Sequence, residues 1–192
     1  MVTGLAFALT IALASSAHAE EVDVAAWVNN LPTQFLVQGS KVEPTYVAAV
    51  EIRRDGDVVS ILGGAPAWME RSRETIAVDS QGDMRHLVCP PGMSCDGAAR
   101  PAGFLSTAAL LSAARRGTLS GVARAEAYGA RRVLCLPAET LGVDKPILDP
   151  CFDLASGAAI AQKNRFSGKF DGPSLDPVTL RVLPDTNKEN AP

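Results

Sequence analysis

The sequence predicts a β-rich α+β fold, either a curved antiparallel sheet or an unclosed half-barrel, with two covering helices. Roughly eight short segments alternate apolar and polar residues between turn residues, which is the pattern of consecutive antiparallel strands. Two other segments, residues 21–32 and 101–117, carry the helical period instead. Because the apolar face of such a sheet must be covered, we expect the two helices to pack on it.

The N-terminal segment predicts export. Residues 4–14 form an uncharged apolar run that leads into an Ala-His-Ala sequence and two glutamates, which is typical of a secretory signal peptide over residues 1–19. The alternative is a membrane anchor, but the run is shorter than the ~20 residues that cross a bilayer. We expect a periplasmic or secreted protein that does not span the membrane. Its one domain would cover residues 20–183, followed by a disordered tail over residues 184–192.

The charge balance argues against nucleic acid as a partner. The chain contains 18 Lys and Arg against 21 Asp and Glu, which gives a net charge of −3. Proteins that bind nucleic acid or an anionic membrane surface usually present a strongly basic region. The sequence has no such region, so we expect neither kind of binding.

The first half of the mature chain predicts a short helix and two hairpins. The helix over residues 21–32 has an apolar face formed by Val24, Trp27, Val28 and Leu31. We expect Trp27 to anchor the core. The first hairpin spans residues 46–62 and turns at Asp55 and Gly56, and the second spans residues 75–89 around a Ser-Gln-Gly turn.

Trp68 lies between the two hairpins in a loop-like segment, residues 63–73. A tryptophan in such a loop either contacts a ligand or partner, or covers the edge of the core. Both interpretations stay open, and Trp68 is a candidate contact residue.

The second half predicts the clearest helix, over residues 101–117, which Gly117 ends. Phe104 and Leu111 lie on one side of this helix and are candidate ligand contacts. Three strand-forming segments follow the helix: residues 122–136, 151–166 and 176–184.

Four cysteines follow the predicted signal peptide: Cys89, Cys95, Cys135 and Cys151. An even number in an oxidising compartment favours disulfides, with three connectivities open. Pairing Cys89 with Cys95 and Cys135 with Cys151 is the economical choice, because each pair brackets a turn-rich segment. Each such bond would contribute about 2 to 3 kcal/mol. Zinc binding and thioredoxin-like redox chemistry are weaker alternatives, because the spacings match neither motif.

The sequence offers few residues for catalysis. The mature chain retains one histidine, His86, which we interpret as a surface or edge side chain; a catalytic role is the alternative. Four aspartates are candidates for an acid–base pair: Asp149, Asp153, Asp171 and Asp176. Since aspartate before Pro or Gly commonly forms turns, we prefer a structural role for them. We expect no enzyme, no catalytic residue, no cofactor and no metal.

Residues 164–177 combine basic and aromatic side chains, namely Arg165, Phe166, Lys169 and Phe170. We interpret this segment either as a loop that binds a partner or as a hairpin extension folded over the end of the barrel. On the first interpretation, Phe166 and Phe170 contact the partner.

The order of these elements resembles the LolA-like and LppX/LprG-like periplasmic lipoprotein-handling superfamily. The similar segments are LVCPPGMSC (residues 87–95), GVARAEAYGARRVLCLPA (residues 121–138) and PCFDLASGAAIAQKNRF (residues 150–166). The resemblance implies an unclosed antiparallel barrel whose concave face binds an acyl chain, a lipidated protein or a peptide. The chain departs from the family in its few aromatic residues, 5%, and none of the family's functional residues aligns with a specific position.

Two functions remain. The leading hypothesis is an exported binding or carrier protein with an apolar cleft for a lipid, an acyl chain or a lipidated partner. The alternative is an envelope interaction scaffold without a small-molecule ligand, in which a surface loop contacts a protein partner. A carrier should keep an open apolar concavity beneath the helix of residues 103–116, whereas a scaffold should fill that space with side chains.

Overall fold

A computed structural model describes residues 20–42, 47–63, 72–90, 92, 94–143, 147–171 and 174–183. The predicted signal peptide, Tyr46, the candidate residue Trp68 and the C-terminal tail lie outside these residues. The described chain is β-rich, with two antiparallel sheets that do not close into a barrel and with two α-helices. The predicted fold class is therefore confirmed.

Eleven strands occur in the described residues. They are β1 (Glu21–Asp23), β2 (Gln34–Val42), β3 (Val47–Asp55), β4 (Val58–Gly63), β5 (Arg73–Val78), β6 (Met84–Val88), β7 (Val122–Tyr128), β8 (Arg131–Cys135), β9 (Leu148–Asp153), β10 (Ala159–Asn164) and β11 (Leu175–Val182). The helices are α1 (Val24–Asn29) and α2 (Ser106–Arg115), with 3₁₀ turns over Gly103–Leu105 and Ala138–Leu141. The predicted hairpins are all present.

The strands divide into two sheets. The six-stranded sheet has the order β11-β2-β3-β4-β5-β6, and the five-stranded sheet has the order β1-β7-β8-β9-β10. Every strand pair is antiparallel. Helix α2 lies between β6 and β7 in the chain. Its segment therefore connects the edge strand β6 of the six-stranded sheet to β7 of the five-stranded sheet.

The first helix is shorter than the apolar helical pattern over residues 21–32 predicts. Residues 21–23 pair with β7 instead, and the helix begins at Val24. The Asp23 carboxylate accepts a hydrogen bond from the backbone N–H of Ala26 at 2.8 Å, which caps the helix at this point. An N-cap therefore decides the boundary that periodicity alone had placed three residues too early.

The six-stranded sheet buries one face. Alternate residues along its central strands form that face: Phe35, Val37, Val50, Ile52, Val59, Ile76 and Val78. Most residues between them are exposed or half-buried. This is the alternation expected of an antiparallel sheet that is covered on one side.

Strands β8, β9 and β10 of the five-stranded sheet bury residues on both faces, whereas β1 and most of β7 are exposed or half-buried. Val133 and Ile160 belong to the cluster of the six-stranded sheet, whereas Leu134 and Phe152 belong to a second cluster that includes α1. Trp27, the predicted core anchor, is half-buried and packs against this second cluster, with its ring 6.4 Å from that of Phe152.

Helix α2 lies between these layers, and residues 106–113 are all buried. Its hydroxyl side chains bond to the surrounding backbone. Thr107 Oγ1 accepts a hydrogen bond from the N–H of Ala159 at 2.8 Å, and Ser112 Oγ donates to the carbonyl of Gly82 at 2.5 Å. These bonds connect the helix to β10 on one side and to the β5–β6 turn on the other.

Basic side chains fix the C-terminal end of α2. Arg115 donates to the carbonyl oxygen of Asp79 at 2.6 Å and pairs with the Asp57 carboxylate, and Arg116 pairs with Asp83 at 2.9 Å. Cations are favourable at a helix C-terminus, where the carbonyl groups carry partial negative charge. These contacts hold α2 against the turns of the six-stranded sheet.

The outer strands have irregular or covered edges. Strand β1 has three residues, β6 has a register shift opposite β5, and β11 has one between Leu175 and Val178. The N–H of Ala99 bonds to the carbonyl of Met84 at the outer side of β6. Residues 169–171 bond to the outer side of β10.

We predict that Leu110→Ala destabilises the protein by about 2–5 kcal/mol, because it leaves a cavity where α2 packs against the five-stranded sheet. Urea unfolding, followed by circular dichroism, measures this change. Val122→Ala is the control, because Val122 is 64% exposed, and it should cost at most about 1 kcal/mol. Similar costs for the two variants would contradict a tightly packed α2.

Candidate functional site

The four cysteines form the two local disulfides that the sequence favours. Cys89 pairs with Cys95, with Cα atoms 6.1 Å apart, and Cys135 pairs with Cys151, with Cα atoms 3.9 Å apart. Cys135 and Cys151 are direct partners in the register of β8 and β9. All four sulfur atoms are in disulfides, so none of the cysteines is a free thiol.

Two disulfides are typical of proteins from an oxidising compartment outside the cytosol. In the part of the chain that the structure describes, no helix has the length and apolar character that crossing a membrane requires.

Side chains fill the space beneath the helical segment of residues 103–116. Phe104 and Leu111, the two candidate ligand contacts on this segment, are 8% and 6% exposed. They share one buried cluster with Phe35 and Ile52 from the larger sheet and Ile160 from the smaller one. Within the described residues, Phe104 and Leu111 therefore contact buried side chains and not solvent.

His86 lies on β6, an edge strand, and is half-buried against β5. Its Nε2 lies 3.1 Å from Oε1 of Glu74. The position agrees with the interpretation as an edge side chain, since the ring pairs across two strands. Within the described residues, no group of three or more metal-ligating side chains occurs.

The candidate aspartates have separate partners. Asp149 accepts a hydrogen bond from the backbone N–H of Ala138 at 3.0 Å. Asp153 is buried and accepts hydrogen bonds from the N–H and the hydroxyl of Ser156, at 2.9 and 2.8 Å, in the β9–β10 turn. Asp171 is exposed, and the side chain of Asp176 lies outside the described part. Asp149 and Asp153 both lie on β9 and bond to different parts of the structure, Asp153 within the β9–β10 turn and Asp149 to more distant segments.

A shallow groove of about 430 Å³ crosses the outer face of the six-stranded sheet. Its floor includes Val58, Ser60 and Leu62. The lining contains two carboxylates and two guanidinium groups: Glu51, Asp55, Arg53 and Arg73. Since these charges balance, the groove does not select a charged ligand by its net charge.

Residues 164–170, which we call the Phe166 turn, reverse the chain after β10. The Oδ1 atom of Asn164 accepts hydrogen bonds from the backbone N–H of Phe166 at 3.0 Å and from that of the next residue at 3.1 Å. The backbone of Asn164 also bonds to Lys169 and to Gly168, both at 2.8 Å. Gly168 has a φ of 66°, which favours glycine. Phe166 projects from this turn and is 83% exposed.

Arg165 connects the Phe166 turn to the rest of the protein. Its Nη2 lies 2.7 Å from Oδ1 of Asp149 and also bonds to the Glu139 carboxylate. Asp149 lies on β9, and Glu139 lies in the 3₁₀ turn that follows β8. The hydrogen bonds to Asp149 and to Glu139 raise the pKa of the Arg165 guanidinium. The hydrogen bond from Arg165 lowers the pKa of the Glu139 carboxyl.

Phe170 lies at the other end of the turn and points inward. Its ring contacts that of Tyr128 edge-on, with centroids 5.0 Å apart, and it packs against the core. The Tyr128 hydroxyl donates to the carbonyl of Leu175 at 3.0 Å. The two phenylalanines that the sequence presents together are therefore divided, because only Phe166 faces solvent.

Two features of this site escaped the sequence analysis. Ile147 is 51% exposed, and its carbonyl accepts a hydrogen bond from the N–H of Arg165 at 3.0 Å, so it adjoins the Phe166 turn. Glu139 lies 26 residues before Arg165, and no local pattern joins them. Of the residues that Arg165 contacts, the sequence analysis had named only Asp149, as one of the four candidate aspartates.

Comparisons of the chain with protein-family models, with curated proteins and with solved structures found no match. The resemblance to the lipoprotein-handling superfamily therefore stays a prediction.

We predict that a mild dithiol reductant opens the Cys89–Cys95 bond before the Cys135–Cys151 bond in the folded protein. Cys89 and Cys95 are both partly exposed, whereas in the other bond Cys135 is partly exposed and Cys151 is fully buried. Exchange requires access to a sulfur atom. Alkylation at timed intervals and peptide mass spectrometry measure both rates. In urea the two rates should converge. Equal rates in the folded protein would contradict this difference in access.

We predict that the Glu139 carboxyl titrates below the usual ~4.3 of glutamate, because the Arg165 guanidinium stabilises its charged form. A pKa that is lowered in the folded state contributes stability above the unfolded value, and that stability is lost as the pH falls through the folded value. Carboxyl-carbon NMR measures the titration. The Arg165→Gln variant should restore a more ordinary midpoint, and an unchanged midpoint would refute the contact.

Proposed function

We propose that this protein is an exported interaction scaffold, a periplasmic or secreted domain that contacts a protein partner through its surface and holds no small molecule inside. The packing of Phe104 and Leu111 between the two sheets carries the proposal. The carrier hypothesis needed that space to be open.

A carrier needs interior volume for its ligand. Ligand pockets typically enclose about 300–1,000 Å³ and bury most of the ligand. Among the described residues, side chains from both sheets, such as Ile52 and Ile160, are fully buried in the cluster beneath α2, which supports a packed interior. Protein interiors pack at the density of organic crystals, so an acyl chain could enter only if the sheets moved apart.

The arrangement of polar groups supports a scaffold over an enzyme. His86 is engaged with Glu74, and Asp149 and Asp153 are engaged with different parts of the backbone. A general acid and a general base must both reach the reacting atoms. Among the described residues, these candidates serve separate turns and strand pairs.

The rigidity of the frame supports partner binding at the surface. Disulfides join β8 to β9 and close the loop after β6, and Arg165 connects the Phe166 turn to two other elements. A contact residue that is already ordered loses less conformational freedom when it binds. The Phe166 turn is therefore a suitable contact region for a scaffold.

Native mass spectrometry of the mature protein, purified from its own envelope and then extracted with organic solvent, tests this proposal. We expect the mass of the polypeptide with two disulfides and no extractable lipid. Dansylated undecanoic acid should show no saturable binding to the purified protein, with a fatty-acid-binding protein as the positive control. An added mass that extracts as lipid, or saturable binding of the probe, would support the carrier hypothesis instead.

A further inference from the structure

We propose that Phe166, Ile147 and Lys169 form a docking surface for a protein partner whose apolar pocket has a carboxylate at its rim. This inference rests on the proposed scaffold function and specifies the chemistry of its partner. Its three residues come from two segments that meet at one end of the five-stranded sheet.

Two apolar side chains are exposed at this end of the sheet. Phe166 is 83% exposed and Ile147 is 51% exposed. The hydrogen bond between the N–H of Arg165 and the carbonyl of Ile147 joins their segments side by side. Aromatic residues that fill a pocket on the partner are frequent anchors of protein interfaces. Phe166 fits the role of the anchor, and Ile147 adds apolar area beside it.

The backbone that presents the anchor is held in place before any partner arrives. The side chain of Asn164 fixes the turn from within, and the contact of Arg165 with Asp149 fixes it from outside. The Phe166 side chain belongs to neither described core cluster. An ordered turn that presents an unused aromatic side chain is the arrangement expected of a contact residue.

The charges around the turn indicate the rim of the partner's pocket. Arg165 is neutralised by Asp149 and Glu139, and Lys163 is paired with Glu126. Lys169 is exposed, and among the described cations of this region it is the one without an ion pair, since Arg165 and Lys163 have theirs. Its ammonium group can therefore meet a carboxylate on the partner, placed next to the pocket.

The same charges argue against a lipid bilayer as the binding surface. Stable attachment to a membrane usually needs several uncompensated basic residues or a large amphipathic surface. Here the acidic partners of Arg165 and Lys163 lie within the same region, so a negatively charged surface would meet both signs of charge. A protein pocket can accommodate one aromatic side chain and one cation without that repulsion.

Site-specific photo-crosslinking of the full chain in its native host tests this docking surface. We place p-benzoylphenylalanine at the position of Ser167, next to the anchor, or at Val122, an exposed control on β7, which lies three strands from β10 in the same sheet. We expect one protease-sensitive adduct of discrete mass from position 167 and none from position 122. An excess of the purified unlabelled protein should suppress the adduct.

The adduct must depend on the three residues. In the position-167 background, Phe166→Ala should lower its yield at least about tenfold, and Ile147→Ser should lower it less. Lys169→Glu should also lower it, whereas Lys169→Arg should preserve it. Unchanged urea unfolding would show that each variant still folds. If Phe166→Ala leaves the adduct yield unchanged, or if no adduct forms at all, the docking surface is wrong. If Lys169→Glu leaves the yield unchanged, the carboxylate at the rim of the partner's pocket is wrong.

Two controls separate this inference from the scaffold proposal. Sedimentation with vesicles of phosphatidylcholine and phosphatidylglycerol should show no binding. Vesicle binding that depends on Phe166 would show that the docking surface binds a bilayer instead of a protein. An extractable lipid in the mass spectrometry would refute the scaffold itself. A lipid-free protein without a Phe166-dependent adduct would refute only the docking surface.

Discussion

Helix α2 is buried on every side because both sheets use it as part of their core. Ala108 and Leu111 face the cluster of the six-stranded sheet, whereas Ala109 and Leu110 face the cluster that contains α1. The small residues of the helix allow this close approach. Apolar burial contributes roughly 25 cal/mol per Å², so a sheet that lost the helix would expose much of the surface that keeps it folded.

The interior is used for structure. Two buried clusters contain side chains from both sheets and from α2, so the proposed scaffold function depends on the surface. The groove and the Phe166 turn, two features of the surface, differ in how well their conformation is fixed. The groove on the larger sheet is open and balanced in charge, whereas the Phe166 turn is fixed by Asn164 and Arg165. Among the described residues, the turn combines an exposed aromatic side chain with a defined conformation.

The features that the sequence predicted well are local ones. The hairpins around Asp55–Gly56 and residues 80–82, the helix over residues 101–117 and the two disulfides each depend on residues close together in the chain. The division into two sheets was not predicted, because alternation shows that a strand has an apolar face but not which other face covers it. The contact of Arg165 with Glu139 was also missed, since it joins two turns through a side chain.

The irregular strand edges reduce the risk that the protein aggregates at high concentration. An exposed strand edge is a template on which further chains can add, and repeated addition leads to amyloid-like fibres. Here the outermost strands are three residues long, shifted in register, or bonded along the outside by neighbouring chain. A protein can therefore display an exposed phenylalanine in a crowded compartment with less risk that its own copies polymerise through their backbones.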